Sequence, residues 1–172
     1  MPLHTLAICA LQLTLVTQPG TTPPARNTSE PGAAQPTATA KPEFKATTPE
    51  VHGGTEARHE QFNKISKEGK AKLVFLGDSI TQSWDGSGKP VWDQFYGTRN
   101  AANFGISGDR TEHVLWRLDH GNFDGLKPSV IVVMIGTNNT GHRKDPAPET
   151  AEGVKAIVER LRTKCPDAKV LL

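Results

Sequence analysis

The chain has 172 residues, of which 35% are hydrophobic and 22% charged, and its net charge is +2. That length holds one domain and a tail. The small charge, with no basic stripe interleaved with aromatics, argues against nucleic acid as a partner, and no apolar run is long enough for a transmembrane span.

Leu6 to Val16 reads LAICALQLTLV, an apolar core of signal-peptide length, so residues 1–17 are expected to act as a signal peptide and the protein to be exported (periplasmic or extracellular). Two features oppose this: only His4 precedes the core where Lys or Arg belongs, and no small-x-small cleavage site follows closely. Ile8 before Cys9 does not fit a lipoprotein box. Residues 18–54 are rich in Pro, Thr and Ala, which breaks regular structure and offers little to bury, so a disordered linker is expected. The sequon Asn27-Thr28-Ser29 matters only in a eukaryotic secretory pathway. With Cys9 in the leader, Cys165 has no partner, and no Cys/His cluster has zinc-ligand spacing.

Residues 55–172 carry the folded domain. Glu56–Glu68 is helical in pattern, and Lys72–Leu76 is a short apolar strand before glycine. Ala101–Phe104 is a weaker strand, followed by a helix over Thr111–Leu118. Val130–Ile135, VIVVMI, is apolar throughout, as in a strand buried on both faces. Glu149–Thr163 places Val154, Ile157, Val158 and Leu161 on one helical face, and Lys169–Leu172 begins a fourth strand. Strand–helix alternation predicts an α/β fold with a parallel sheet and helices on both faces.

Ligands of such sheets bind outside the carboxyl ends of the strands. Gly77-Asp78-Ser79 follows the first strand, Gly105-Ile106-Ser107-Gly108-Asp109 the second, and Gly136-Thr137-Asn138-Asn139 the third. Each is ordinary turn chemistry by itself. Together they supply a hydroxyl at Ser79, an unobstructed N–H at Gly108 and an amide N–H at Asn138. One nucleophile with convergent donors is what acyl transfer needs, because its tetrahedral intermediate carries an oxyanion.

The blocks VFLGDSITQSW, NFGISGDRTEHVLWRL and VIVVMIGTNN resemble the first three blocks of the SGNH (GDSL) hydrolase family, above all the catalytic subunits of intracellular platelet-activating-factor acetylhydrolases. The resemblance runs from about His59 to Leu172. It implies a three-layer α/β/α sandwich with a flavodoxin-like parallel sheet and no metal or organic cofactor. It also implies a serine esterase acting on a small ester, with a short acyl group such as acetyl on a carbohydrate or lipid, and it is compatible with a homodimer. Position by position, Ser79 matches the nucleophile and one oxyanion N–H, Gly108 and Asn138 match the other two donors, and Asp78 matches a residue that shapes the nucleophile turn.

The family's general base is the His of an Asp-x-x-His block near the domain's C-terminus. No Asp-x-x-His occurs between residues 1 and 172. The domain is therefore expected to be incomplete at its C-terminus and the 172-residue chain inactive, with a binding module or pseudoenzyme as the alternative reading. His142 follows the third motif but has no evident orienting carboxylate. His52, His59, His113 and His120 are expected to be structural or solvated. Lys89 in DGSGKP does not complete a phosphate loop, because Ser83 and Pro90 stand where Gly and Ser/Thr are required. Asp78 as the phosphoacceptor of a receiver domain would leave Gly108 and Asn138 without a role. Trp84 and Trp92 are candidates for the acyl pocket or for the core.

Overall fold

The computed structural model describes residues 44–172. The expected signal peptide, Cys9, the sequon and the linker up to residue 43 lie outside the described residues. In chain order the elements are α1 (Glu56–Glu68), β1 (Leu73–Gly77), α2 (Ser79–Gln82), α3 (Lys89–Phe95), β2 (Ala101–Gly105), α4 (Thr111–Asp119), β3 (Val130–Met134), α5 (Ala147–Lys164) and β4 (Lys169–Leu171). All strand pairs are parallel, in the order β2-β1-β3-β4. The α/β architecture read from the alternation of elements is therefore the observed one.

Register explains the core. Val74 lies level with Ala102 and Ile131, and Leu76 with Phe104 and Val133, so these side chains share one face of the sheet. That face is buried against Phe62 of α1, Val114, Leu115 and Leu118 of α4, and Ile157 and Leu161 of α5. The Phe62 and Phe104 rings stack with centroids 4.5 Å apart.

The opposite face is covered unevenly. Phe75 of β1 packs against Trp84, Trp92 and Tyr96, with ring centroids 5.0–6.2 Å apart. Over β3 the cover stops: Val132 is only half-buried and Met134 is 50% exposed. Within residues 44–172 the apolar β3 strand is covered on one face only, the face on which α4 and α5 pack.

The linker expectation for residues 18–54 needs correction at its end. Residues 44–54 form a strap on the domain, with a 3-10 turn at Lys45–Thr47 whose Ala46 is fully buried. Thr111 Oγ1 donates to Ala46 O (2.8 Å), and Glu50 N–H donates to Glu112 O (3.2 Å). Composition conceals this because the strap adds almost no apolar surface and is held by backbone hydrogen bonds. The α3 helix was likewise not expected: it has no fully buried residue and hence no clear periodicity.

Candidate active site

The three motifs lie at the carboxyl ends of adjacent parallel strands, and specific bonds tie them together. Ser79 is the first residue of α2. Asp78 caps that helix, its Oδ1 accepting from Ile80 N–H at 3.0 Å. Burial, reinforced by the nearby charge of Asp109, raises the Asp78 carboxyl above its ordinary range, and its Oδ2 has no partner among the described residues. The helix can sit this close to the sheet because β2 ends in glycine. A Cβ at Gly105 would lie 2.2 Å from Gln82 N and 2.7 Å from Thr81 C, so any side chain there would push α2 away.

The second motif is fastened to the first. Ile106 N–H donates to Gly77 O (3.1 Å), and Ser107 N–H to Gln82 Oε1 (2.6 Å). Ser79 and Ser107 therefore border one cavity of about 450 Å³, which Arg58, Gln82, Asp85 and Ser87 also line. Arg58 is held in place by Gly105 O (2.6 Å) and Asp85 Oδ2 (2.7 Å). Trp84 and Trp92 do not line this cavity, and their contacts with Phe75 support the packing reading of both.

Gly108 has φ +82°, a left-handed conformation that glycine adopts without strain. The residue after it, Asp109, is fully buried and joins the second and third motifs. Its main-chain carbonyl accepts from Asn138 Nδ2 at 2.8 Å. Its Oδ2 accepts from the buried Arg117, from Nε at 3.0 Å and from a terminal nitrogen at 2.8 Å. Its Oδ1 lies 2.7 Å from His52 Nδ1. The sequence reading treated Asp109 only as the neighbour of Gly108.

The loop behind Asn138 is pinned by the second Asn of the motif. Asn139 Oδ1 accepts from Thr111 N–H (3.0 Å), while its Nδ2 donates to Thr111 Oγ1 and Asp145 Oδ2, each at 3.0 Å. Residues Asn139–Arg143 make one π-helical turn, closed by Arg143 pairing with Glu112 and Asp145. Burial acts to raise the Glu112 carboxyl, but bonds from Arg110 and Arg143 outweigh it and hold the group below the usual carboxylate range. Asn139 is thus a supporting residue that sequence reasoning passed over as ordinary turn chemistry.

The histidines divide clearly. His142 is exposed in the π-helical turn. His120 stacks on Trp116 at 4.0 Å, and His59 is buried beside Asn63 and Asn122, so both serve structure as expected. His52, also expected to be structural or solvated, pairs with Asp109 beside Gly108. His52, Asp109 and His113 place ligand atoms within 4.8 Å of one another. That set fits a metal poorly: the Asp109 carboxylate is committed to Arg117, and His113 Nδ1 accepts from Arg110 N–H at 3.1 Å.

Burial pulls the His113 imidazole down to about 4, with the Asp109 charge opposing. Between that value and the ordinary 6.5 the unfolded chain binds a proton that the folded chain refuses, so stability rises with pH across this window. Acidification through it is expected to cost about 3 kcal/mol from this group. Thermal unfolding of His113→Gln followed from pH 7 to pH 4 should show a flatter decline than the parent, and parallel profiles would contradict the assignment.

The sequence profile of the GDSL-like Lipase/Acylhydrolase family matches residues 75–172, more than half of the chain. The bovine platelet-activating factor acetylhydrolase IB subunit alpha1 is 39% identical over 114 residues, 66% of this chain and 47% of that protein. The rat alpha2 subunit is also 39% identical, over 116 residues, 67% of this chain and 48% of that protein. The chain thus spans about half the length of the curated relatives it matches. Among solved structures, a Streptococcus pneumoniae protein described as a platelet activating factor superposes with TM-score 0.55 at 23% identity, covering 67% of this chain and 52% of that one. A Bacteroides fragilis protein described as an acylhydrolase superposes with TM-score 0.52 at 20% identity, covering 70% of this chain and 57% of that one. Both structures support the fold.

Proposed function

Since the chain belongs to the GDSL-like lipase/acylhydrolase family, we propose that the native protein containing it is a serine esterase that removes a short acyl group from a polar alcohol such as a carbohydrate. In this reading Ser79 Oγ attacks the ester carbonyl. The N–H groups of Ser79 and Gly108 and the second N–H of the Asn138 amide receive the oxyanion, and Asp78 fixes the turn that presents Ser79. A carboxamide has two N–H bonds, so the bond to Asp109 O orients Asn138 and leaves one donor for substrate. The base is a histidine that residues 1–172 do not supply in an Asp-x-x-His setting.

The observation that carries the substrate choice is the cavity beside Ser79. Arg58, Gln82, Asp85 and the hydroxyls of Ser83, Ser87 and Ser107 line it, with no apolar side chain among them. Such a lining offers hydrogen-bond partners to a hydroxylated alcohol, which favours it over an alkyl one. Hydrolysis by the native protein should be measured as acetate release from peracetylated glucose and an acetyl phospholipid and as p-nitrophenol release from p-nitrophenyl palmitate. The sugar ester is expected to give the highest kcat/KM, by at least about tenfold, the effect of one or two unpaired polar contacts. Preference for either lipid substrate would overturn the carbohydrate assignment.

A further inference from the structure

We propose that His52 is a positioning residue for the oxyanion donors, holding the Gly108–Asp109 turn through the Asp109 carboxylate. The inference rests on the oxyanion roles of Gly108 and Asn138 proposed above, and it adds a residue from outside the three motifs.

The chemistry of the pair fixes its direction. Asp109 is fully buried against the Arg117 guanidinium and therefore acts as a charged acceptor. His52 Nδ1, 2.7 Å from Oδ1, must carry the proton it shares. The ring is confined on further sides. It stacks on His113 with centroids 4.4 Å apart, and its Cε1 edge faces Gly108, where a Cβ would approach to 3.2 Å. Asp109 is thus gripped by Arg117 at one carboxylate oxygen and by His52 at the other. Its main chain meanwhile bonds Ile106 O through N–H (3.1 Å) and receives Asn138 through C=O. Rotation of this one residue would turn the Gly108–Asp109 peptide, and through it displace Gly108 and its N–H, on one side and reorient the Asn138 amide on the other. Precise placement matters because a displaced donor is worth little to a developing oxyanion.

A tether for the strap is the competing role, and the bonds argue against it. The strap has independent anchors at Ala46, at Glu50 and at His52 O, which accepts from Thr55 Oγ1 at 2.6 Å. The imidazole is not needed to hold it down.

Amide hydrogen exchange and NMR shifts of the 172-residue chain test the inference without requiring turnover. In His52→Ala the Asp109 N–H, which bonds Ile106 O in the parent, is expected to exchange at least about tenfold faster and the Gly108 N–H and Asn138 side-chain resonances to move, while Glu50 N–H stays protected. His52→Asn places an N–H near the position of imidazole Nδ1 and should restore the parent pattern. His52→Gln sets its N–H one methylene farther out, is expected to behave as Ala, and serves if His52→Ala does not fold. In the native protein kcat should follow, falling about 10–100-fold in His52→Ala with KM within about twofold, less than the 10²–10³ typical of losing a donor outright. Unchanged exchange at Asp109, equal opening at Glu50, or no recovery in His52→Asn would each overturn the inference. Hydrolysis that persists in Ser79→Ala would instead remove the esterase reading, with the exchange result on His52 still standing.

Discussion

Replacing Ser79 by alanine in the native protein is expected to lower kcat for p-nitrophenyl acetate by about 10⁶-fold, the loss typical when a serine hydrolase loses its nucleophile. The alanine should fold normally. Ser79 is only half-buried at the first turn of α2, and the cap from Asp78 to Ile80 N–H does not involve its side chain. KM for a polar ester should change little, because the cavity walls at Arg58, Gln82 and Ser107 stay in place. The 172-residue chain is expected to show no Ser79-dependent turnover, since proton transfer by a base contributes about 10²–10⁴-fold and no Asp-x-x-His lies within it. Comparing the 172-residue chain with its own Ser79→Ala variant checks this second point. Clear activity lost on substitution would mean that a histidine among residues 1–172 acts as base.

Arg117→Ala is expected to cost about 3–5 kcal/mol of stability, the usual penalty for leaving a buried charge without its partner. Arg117 is 2% exposed, and its guanidinium bonds Asp109, Asn122 Oδ1 (3.0 Å) and Phe104 O (3.3 Å). Truncation opens a large cavity and strands the Asp109 carboxylate beside Gly108. Adding Asp109→Asn to Arg117→Ala should recover part of the loss, because a neutral amide is far cheaper to bury than an unpaired charge. Urea denaturation of the four-member cycle measures the coupling. If the single losses simply add, the pair does not stabilise in the way described.

Much of the fold was legible because buried parallel strands and amphipathic helices leave strong periods. Glu56–Glu68 was read with the bounds that the structure gives, and the four strands were placed to within about one residue, better than the usual margin for element ends. Ser79, Gly108 and Asn138 could be singled out because turn residues after apolar strands converge on one rim of a parallel sheet. What escaped was long-range and polar. His52 lies 57 residues before Asp109, and no spacing rule connects them. Asn139 and Arg143 act through a network with Thr111, Glu112 and Asp145 that exists only once α4 and the third motif meet. The strap escaped because it continues a proline- and threonine-rich stretch and offers little apolar surface, whereas hydrogen bonds hold it in place.

That strap bears on how the chain can be shortened. Cutting at Thr55, where composition places the domain edge, would leave all three motifs intact. It would also remove the imidazole beside Gly108, free Thr111 Oγ1 from Ala46 O and uncover Gly153. A trimmed protein designed from motif positions alone would carry Ser79, Gly108 and Asn138 on a loosened frame. The minimal unit worth expressing therefore begins no later than Phe44, and a protease that clips within 44–54 would act on the rim that carries Ser79, Gly108 and Asn138 from outside all three motifs.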